Sequence, residues 1–118
     1  MAYMDGFLVP VPRDRLREYR RLARRAGRIW MEYGALQYLE AVADDLAPDG
    51  AVSFPKAVQA GPDEIVVFSW ILYRSRAHRQ QVNAEVLGDP RVAAMGPENM
   101  PFQPSRMLHG GFKPIVTF

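Results

Sequence analysis

Residues 64–73, Glu64-Ile65-Val66-Val67-Phe68-Ser69-Trp70-Ile71-Leu72-Tyr73, decide the fold. The run is dominated by β-branched and aromatic residues and is preceded by the turn signal Gly61-Pro62-Asp63, so it predicts a strand. Ile65, Val67, Ile71 and Tyr73 fall on one parity, and Val66, Phe68, Trp70 and Leu72 on the other. A strand with one face in water alternates apolar and polar residues. This one is apolar on both faces, so both need a cover.

Working back towards the N-terminus, residues 53–60 are ambiguous, with Phe54, Ala57 and Val58 compatible with a short helical turn. Residues 44–50 are dense in Asp, Pro and Gly and predict a turn. Residues 35–43 alternate loosely, with Leu36, Tyr38 and Val42 on one parity, and predict the second strand. Residues 13–33 change period: Leu16, Tyr19, Leu22, Ala23, Ala26, Ile29, Trp30 and Tyr33 recur at three and four, one stripe of a helix, with Gly34 as its stop. Residues 3–11 predict the first strand; Pro10 and Pro12 require it to finish there or to lie at an edge.

Beyond the deciding strand, residues 75–87 predict the second helix, with Ser75 as its N-cap and Ala77, Val82, Val86 and Leu87 approximating an apolar face. Gly88-Asp89-Pro90 interrupts it, residues 91–95 suit one further turn, and prolines stiffen residues 96–104. Residues 105–118 predict the last strand region, broken by Gly110-Gly111 and Pro114. The order β-α-β-β-α-β predicts a ferredoxin-like α+β sandwich: one domain over residues 1–118, with a four-stranded antiparallel sheet and both helices on one face. The sheet's second face then stays apolar and bare. The expected cover is a second copy of the chain, forming a dimeric α/β barrel; the alternative is the Pro-rich segment folding across it.

Composition bounds the function. The chain has 118 residues and no cysteine, which excludes a disulfide framework, a thiolate metal site and a cysteine nucleophile. Fifteen Lys and Arg against 13 Asp and Glu leave a net charge of +2, too small to imply a polyanionic partner. No apolar run approaches the roughly 20 residues of a bilayer span, so a cytoplasmic protein is expected. Eight arginines between Arg13 and Arg28 make one basic helix face. No aromatic residues interleave them for base stacking, so a solvated outer face is expected, with neither nucleic acid nor membrane as partner.

Several segments together resemble a known family: Tyr3-x-Asp5-Gly6-Phe7, Trp30-x-x-x-Gly34-Ala35, Val66-Val67-Phe68-Ser69-Trp70, Asp89-Pro90-Arg91, Met100-Pro101-Phe102 and Arg106-Met107-x-x-Gly110-Gly111-Phe112. The chain resembles, nearly end to end, the YbaA-like domains of unknown function in the dimeric α/β-barrel superfamily. The resemblance implies a ferredoxin-like fold and a homodimer, and implies no activity.

Candidate chemistry is sparse. His78 and His109, 31 positions apart, have no metal-ligand spacing, so no metal site is expected. His78 reads as a solvated helix residue, with a general base as the alternative. His109 reads as a hydrogen-bonded strand residue that could face a cavity beside Gly110-Gly111. Trp70, His78 and Asn83 have the residue types of a haem-degrading site without its spacing, and no cofactor is expected. Ser69 lacks a nucleophile elbow. Asp5, Trp70, Arg106 and His109 interrupt otherwise apolar strands. A buried charge needs a partner, so an Asp5–Arg106 pair lining one cavity with Phe68, Trp70 and His109 is the expected ligand site. These readings favour a dimeric binder of a small apolar or aromatic molecule between sheet and helices. The alternatives are a cofactor-independent monooxygenase or isomerase with His109 or His78 as base, and a structural dimer with a protein partner.

Overall fold

A computed structural model of the protein describes residues 1–46, 52–96, 98 and 100–118. Strand β1 (Tyr3–Pro12) leads through one 3-10 turn at Arg13–Arg15 into α1 (Leu16–Glu32). Then follow β2 (Gln37–Val42), the short α2 (Phe54–Ala57), β3 (Glu64–Tyr73), α3 (Arg76–Leu87), the short α4 (Pro90–Ala93) and β4 (Leu108–Phe112). The turn expected at residues 44–50 lies outside the described residues from position 47 onward.

The four strands form one antiparallel sheet in the order β2-β3-β1-β4, the topology of a ferredoxin-like sandwich. β1 and β3 pair along their full lengths, from Tyr3 opposite Tyr73 to Pro12 opposite Glu64. β4 pairs only with Met4 to Leu8. Pro10 and Pro12 therefore lie in a stretch of β1 with no second neighbour, where a missing N–H costs no ladder bond. The expected edge position is local: β1 is central at one end and an edge at the other.

Odd-numbered residues of β1 and β3 face the helices. Val9, Val11 and Val67 pack with Tyr19 of α1, while Ile71 and Tyr73 pack with Ile29, Val82 and Val86. Gly34, at φ +108°, closes α1 as its spacing predicts. Ser75 caps α3 by accepting from the His78 amide at 3.0 Å. The inward face of α3 is His78, Val82 and Val86, at steps of four; Ala77 and Leu87, read as part of that face, are exposed. The last strand is shorter than the sequence predicts. Residues 113–118 leave the ladder, as Pro114 cannot donate to one.

The even-numbered residues form the opposite face. Met4, Leu8, Phe68, Trp70, Leu72, Leu108 and Phe112 point away from every helix except the corner where Phe54 of α2 meets Phe68 edge-on at 6.4 Å. The described part of the Pro-rich segment does not cover this face. Pro101 is buried, and Phe102 packs edge-on against Tyr19 at 5.5 Å on the helix side. The molecule is accordingly thin, 39 × 37 × 20 Å, with no third layer among the described residues.

Candidate functional site

Between the sheet and α1 lies a cavity of about 230 Å³. β1 contributes Phe7, β3 Ser69 and Ile71, β2 Tyr38 and Glu40, and α1 Tyr19, Leu22, Ala23, Ala26 and Trp30. Val92, Met95, Met100, Phe102 and Met107, from α4 and the segment after it, close the remaining side. Nearly all of this lining is apolar, and three methionines give the wall adaptable surfaces.

One carboxylate interrupts it. Glu40 lies on the inward parity of β2 with Tyr38 and sits opposite Ser69 in the β2–β3 register. The Tyr38 hydroxyl donates to Glu40 Oε2 at 2.5 Å, and the Tyr19 hydroxyl donates to Glu40 Oε1. Burial, and then the carboxylate they point at, push both phenols far above their ordinary range, so both remain donors. Among the described residues no Lys or Arg comes within ion-pair distance of Glu40.

The placement of Tyr38 leaves a mark on the helix above it. A Cβ built on Gly27 of α1 would lie 2.8 Å from the Tyr38 ring. A mid-helix glycine is disfavoured by about 1 kcal/mol relative to alanine; here it provides the depth at which Tyr38 reaches Glu40. Outside this point Arg20, Arg24 and Arg28 line an open cleft that shares Ala23, Tyr38 and Glu40 with the cavity. Of the other arginines, Arg17, Arg21 and Arg25 are exposed, as the patterning predicts, while Arg15 pairs with Glu18 and donates to the Met100 carbonyl.

The residues expected to share a site are dispersed. Asp5 is buried, but its partner is Arg79 of α3, whose Nε and Nη2 donate to the carboxylate at 2.8–3.1 Å while the guanidinium lies 5.4 Å from the Tyr3 ring centroid. Arg106 grips Glu64 instead, at 2.7 and 2.8 Å, and donates to the Gln59 carbonyl. The expected Asp5–Arg106 pair is therefore wrong: Arg106 precedes β4 on a 3-10 turn, at the far end of β1 from Asp5. Arg106 and the Gly61 amide hold the Glu64 carboxyl down at about 2.

Phe68 and Trp70 lie on the bare outer face, meeting edge-on at 5.8 Å, with the Trp70 indole donating to Gln37. His109 is exposed on edge strand β4, stacked at 6.3 Å on Phe7. His78 departs from the solvated reading: it is buried, its Nδ1 accepts the Arg74 amide at 3.0 Å, and its ring meets Tyr73 edge-on. Burial, then the Arg74 charge, lower its pKa.

Another cluster explains Asp89-Pro90-Arg91. Asp89 caps α4, accepts from Tyr33 at 2.8 Å and pairs with Arg91, which also reaches Glu32 at the end of α1. These contacts tie α1 to α4 and lie away from the cavity lining.

Sequence reading missed Glu40, although the signal was present. A carboxylate at position 40 shares the parity of Tyr38 and Val42, the face the alternation assigns to the core.

The sheet order, the helices on one face and the cavity beneath them define the class: a ferredoxin-like α+β sandwich. Solved structures agree. The chain is similar to an uncharacterized NIPSNAP domain protein from Burkholderia xenovorans, with a TM-score of 0.58 at 14% identity over 97% of this chain and 95% of that one. It is also similar to the de novo designed protein Foldit4, with a TM-score of 0.50 at 11% identity over 97% and 99% of the two chains. Within that class the chain belongs to the family described as Protein of unknown function (DUF1428), whose model matches residues 2–104. It is 45% identical over 117 residues, 98% of both chains, to the uncharacterized protein YbaA of Escherichia coli K12, and equally to that of Shigella flexneri. Among the described residues no helix is long and apolar enough to cross a membrane.

Proposed function

We propose that the protein is a homodimer in which each protomer binds one small apolar or aromatic molecule between its sheet and α1. The observation that carries the binding reading is the 230 Å³ cavity, walled by apolar side chains with Glu40 as the one charged group among the described residues that line it. Concave apolar lining with few convergent polar groups is the usual form of a small-molecule site.

The dimer rests on the outer face. Phe68 is 40% exposed, Leu108 46% and Phe112 58%, and they lie on one continuous sheet surface with Met4, Leu8 and Trp70. Ile115, Val116 and Phe118 add exposed apolar side chains beyond β4. Two such sheets face to face give the barrel that the sequence predicts. The histidines lend no support to an enzymatic reading, since neither lines the cavity.

A thermal-shift screen against single-ring aromatic compounds and quinones tests the binding reading. A ligand at 100 times its Kd stabilises the folded state by about 2.7 kcal/mol, enough to read as a shift of several degrees. Stabilisation by one compound class is the expected result; a flat response across the library refutes it. Light scattering at twice the chain mass is expected for the dimer, and the mass of one chain refutes that part.

A further inference from the structure

We infer that the ligand is a neutral single-ring phenol whose hydroxyl donates to Glu40. This rests on the binding reading above and deepens it.

The cavity wall holds a small, countable set of hydrogen-bonding side chains. Three of the wall's donors are already engaged. The Tyr19 and Tyr38 hydroxyls both donate to Glu40, and the Trp30 indole donates to Asn83 Oδ1 at 3.2 Å. A carboxylate offers about four lone-pair positions. The tyrosines occupy one on each oxygen and leave the rest unmatched on a group that lines an otherwise apolar space. Among the described residues the wall therefore presents acceptor capacity at Glu40, with the Ser69 hydroxyl as the one further polar side chain. A ligand that supplied only acceptors would leave Glu40 facing lone pairs, so the complementary ligand brings a donor.

Charge narrows the choice. An anionic ligand meets the Glu40 carboxylate itself inside a low-dielectric wall, where like charges repel strongly. A cationic ligand meets Arg20, Arg24 and Arg28, which line the cleft bordering Glu40 and Tyr38 on the outside. A neutral donor avoids both. Its hydrogen bond to a carboxylate is of the charge-assisted kind, about twice as strong as one between neutral groups.

Size and shape supply the rest. Drug-sized ligands occupy roughly 300–1,000 Å³, and this cavity of about 230 Å³ falls below that range. The rings of Phe7, Trp30, Tyr38 and Phe102 surround it, which suits an aromatic body over an aliphatic one. The glycine at position 27 is part of the same device, since it lets Tyr38 sit deep enough to hold the carboxylate still.

Calorimetric titration of the intact protein with p-cresol, toluene, benzylamine and benzoate tests this, with Glu40→Gln alongside the unmodified chain. The four probes share one ring and differ in the group offered. The expected result is p-cresol binding roughly tenfold or more tighter than toluene, from one charge-assisted hydrogen bond. In Glu40→Gln the ratio of p-cresol to toluene affinity shrinks. The comparison on the unmodified chain needs no variant, so a Glu40→Gln protein that fails to fold leaves the test intact. If toluene binds as tightly as p-cresol, the hydroxyl assignment falls and the binding reading stands. If benzylamine or benzoate binds tightest, the neutral-donor argument is overturned. If none of the four binds, this inference falls, and the thermal-shift screen decides the reading beneath it.

Discussion

His78 shows how a side chain's neighbours set its part. Its Nδ1 is an acceptor for a backbone amide, a bond that the protonated ring cannot keep. The folded state therefore prefers the neutral form, in line with a pKa lowered by burial and by Arg74. In the unfolded chain the ring gains a proton as pH falls through about 6.5; in the folded chain it does so only at lower pH. Between those points the unfolded state binds more protons, so the stability His78 contributes is complete above about pH 6.5 and lost below it. Glu64 acts in a separate window, because Arg106 holds it near 2 and its contribution fades only as pH falls below the ordinary carboxylate range. Urea midpoints measured between pH 8 and pH 5 should fall more steeply for the native chain than for His78→Asn, which keeps an acceptor without a titrating ring. Parallel slopes would refute the assignment. Asp5 teaches the same lesson: the need for a buried partner was legible, but which arginine supplies it depends on α3 crossing above β1.

At the scale of elements, α1 carries two messages in one helix. Its three-and-four spacing sets the apolar stripe, and the stripe meets the sheet as patterning requires. Gly27 departs from helical preference inside that stripe. Replacing it with alanine gains up to about 1 kcal/mol of helix propensity, yet places a methyl 2.8 Å from the Tyr38 ring. Overpacking of that kind costs about 1–3 kcal/mol, so Gly27→Ala should lower the melting temperature. In a Tyr38→Ala background the same change should raise it, a sign reversal that isolates the contact. Destabilisation in both backgrounds would show that Tyr38 is not the cause. The glycine itself was visible in the sequence. Its reason was not, because the ring it accommodates comes from β2, eleven positions away and on another element.

For the whole molecule, the question is what meets the outer face. The deciding strand is apolar on both parities; the described residues cover one of them, and the other only at Val66 and the Phe54 corner. Phe68→Glu places a charge at the centre of the bare face, beside Trp70 and Phe54. In an isolated protomer a change at so exposed a position shifts stability by only about 0.5 kcal/mol; between two packed sheets it leaves a charge without water or a partner. If the proposed dimer uses this face, light scattering shows the mass halved, with far-ultraviolet circular dichroism unchanged. A variant that stays dimeric would place the interface elsewhere.

The sequence by itself determined the element order, the stripe of α1 and the fact that β3 has two apolar faces. These follow from periodicity, capping and turn chemistry, which act over a few residues. It also held Glu40 on the inward parity of β2, though nothing local distinguishes a carboxylate facing a cavity from one facing solvent. Tertiary structure alone decided which charges meet. Asp5 found Arg79 and Arg106 found Glu64, 74 and 42 positions apart, because helix crossings and strand lengths set those distances. It alone placed Phe68 and Trp70 on one side of the sheet and Glu40 with its two tyrosines on the other. The physical reason is that a side chain's face is set by the two-residue period of its own strand, whereas its neighbours are set by every other element of the fold.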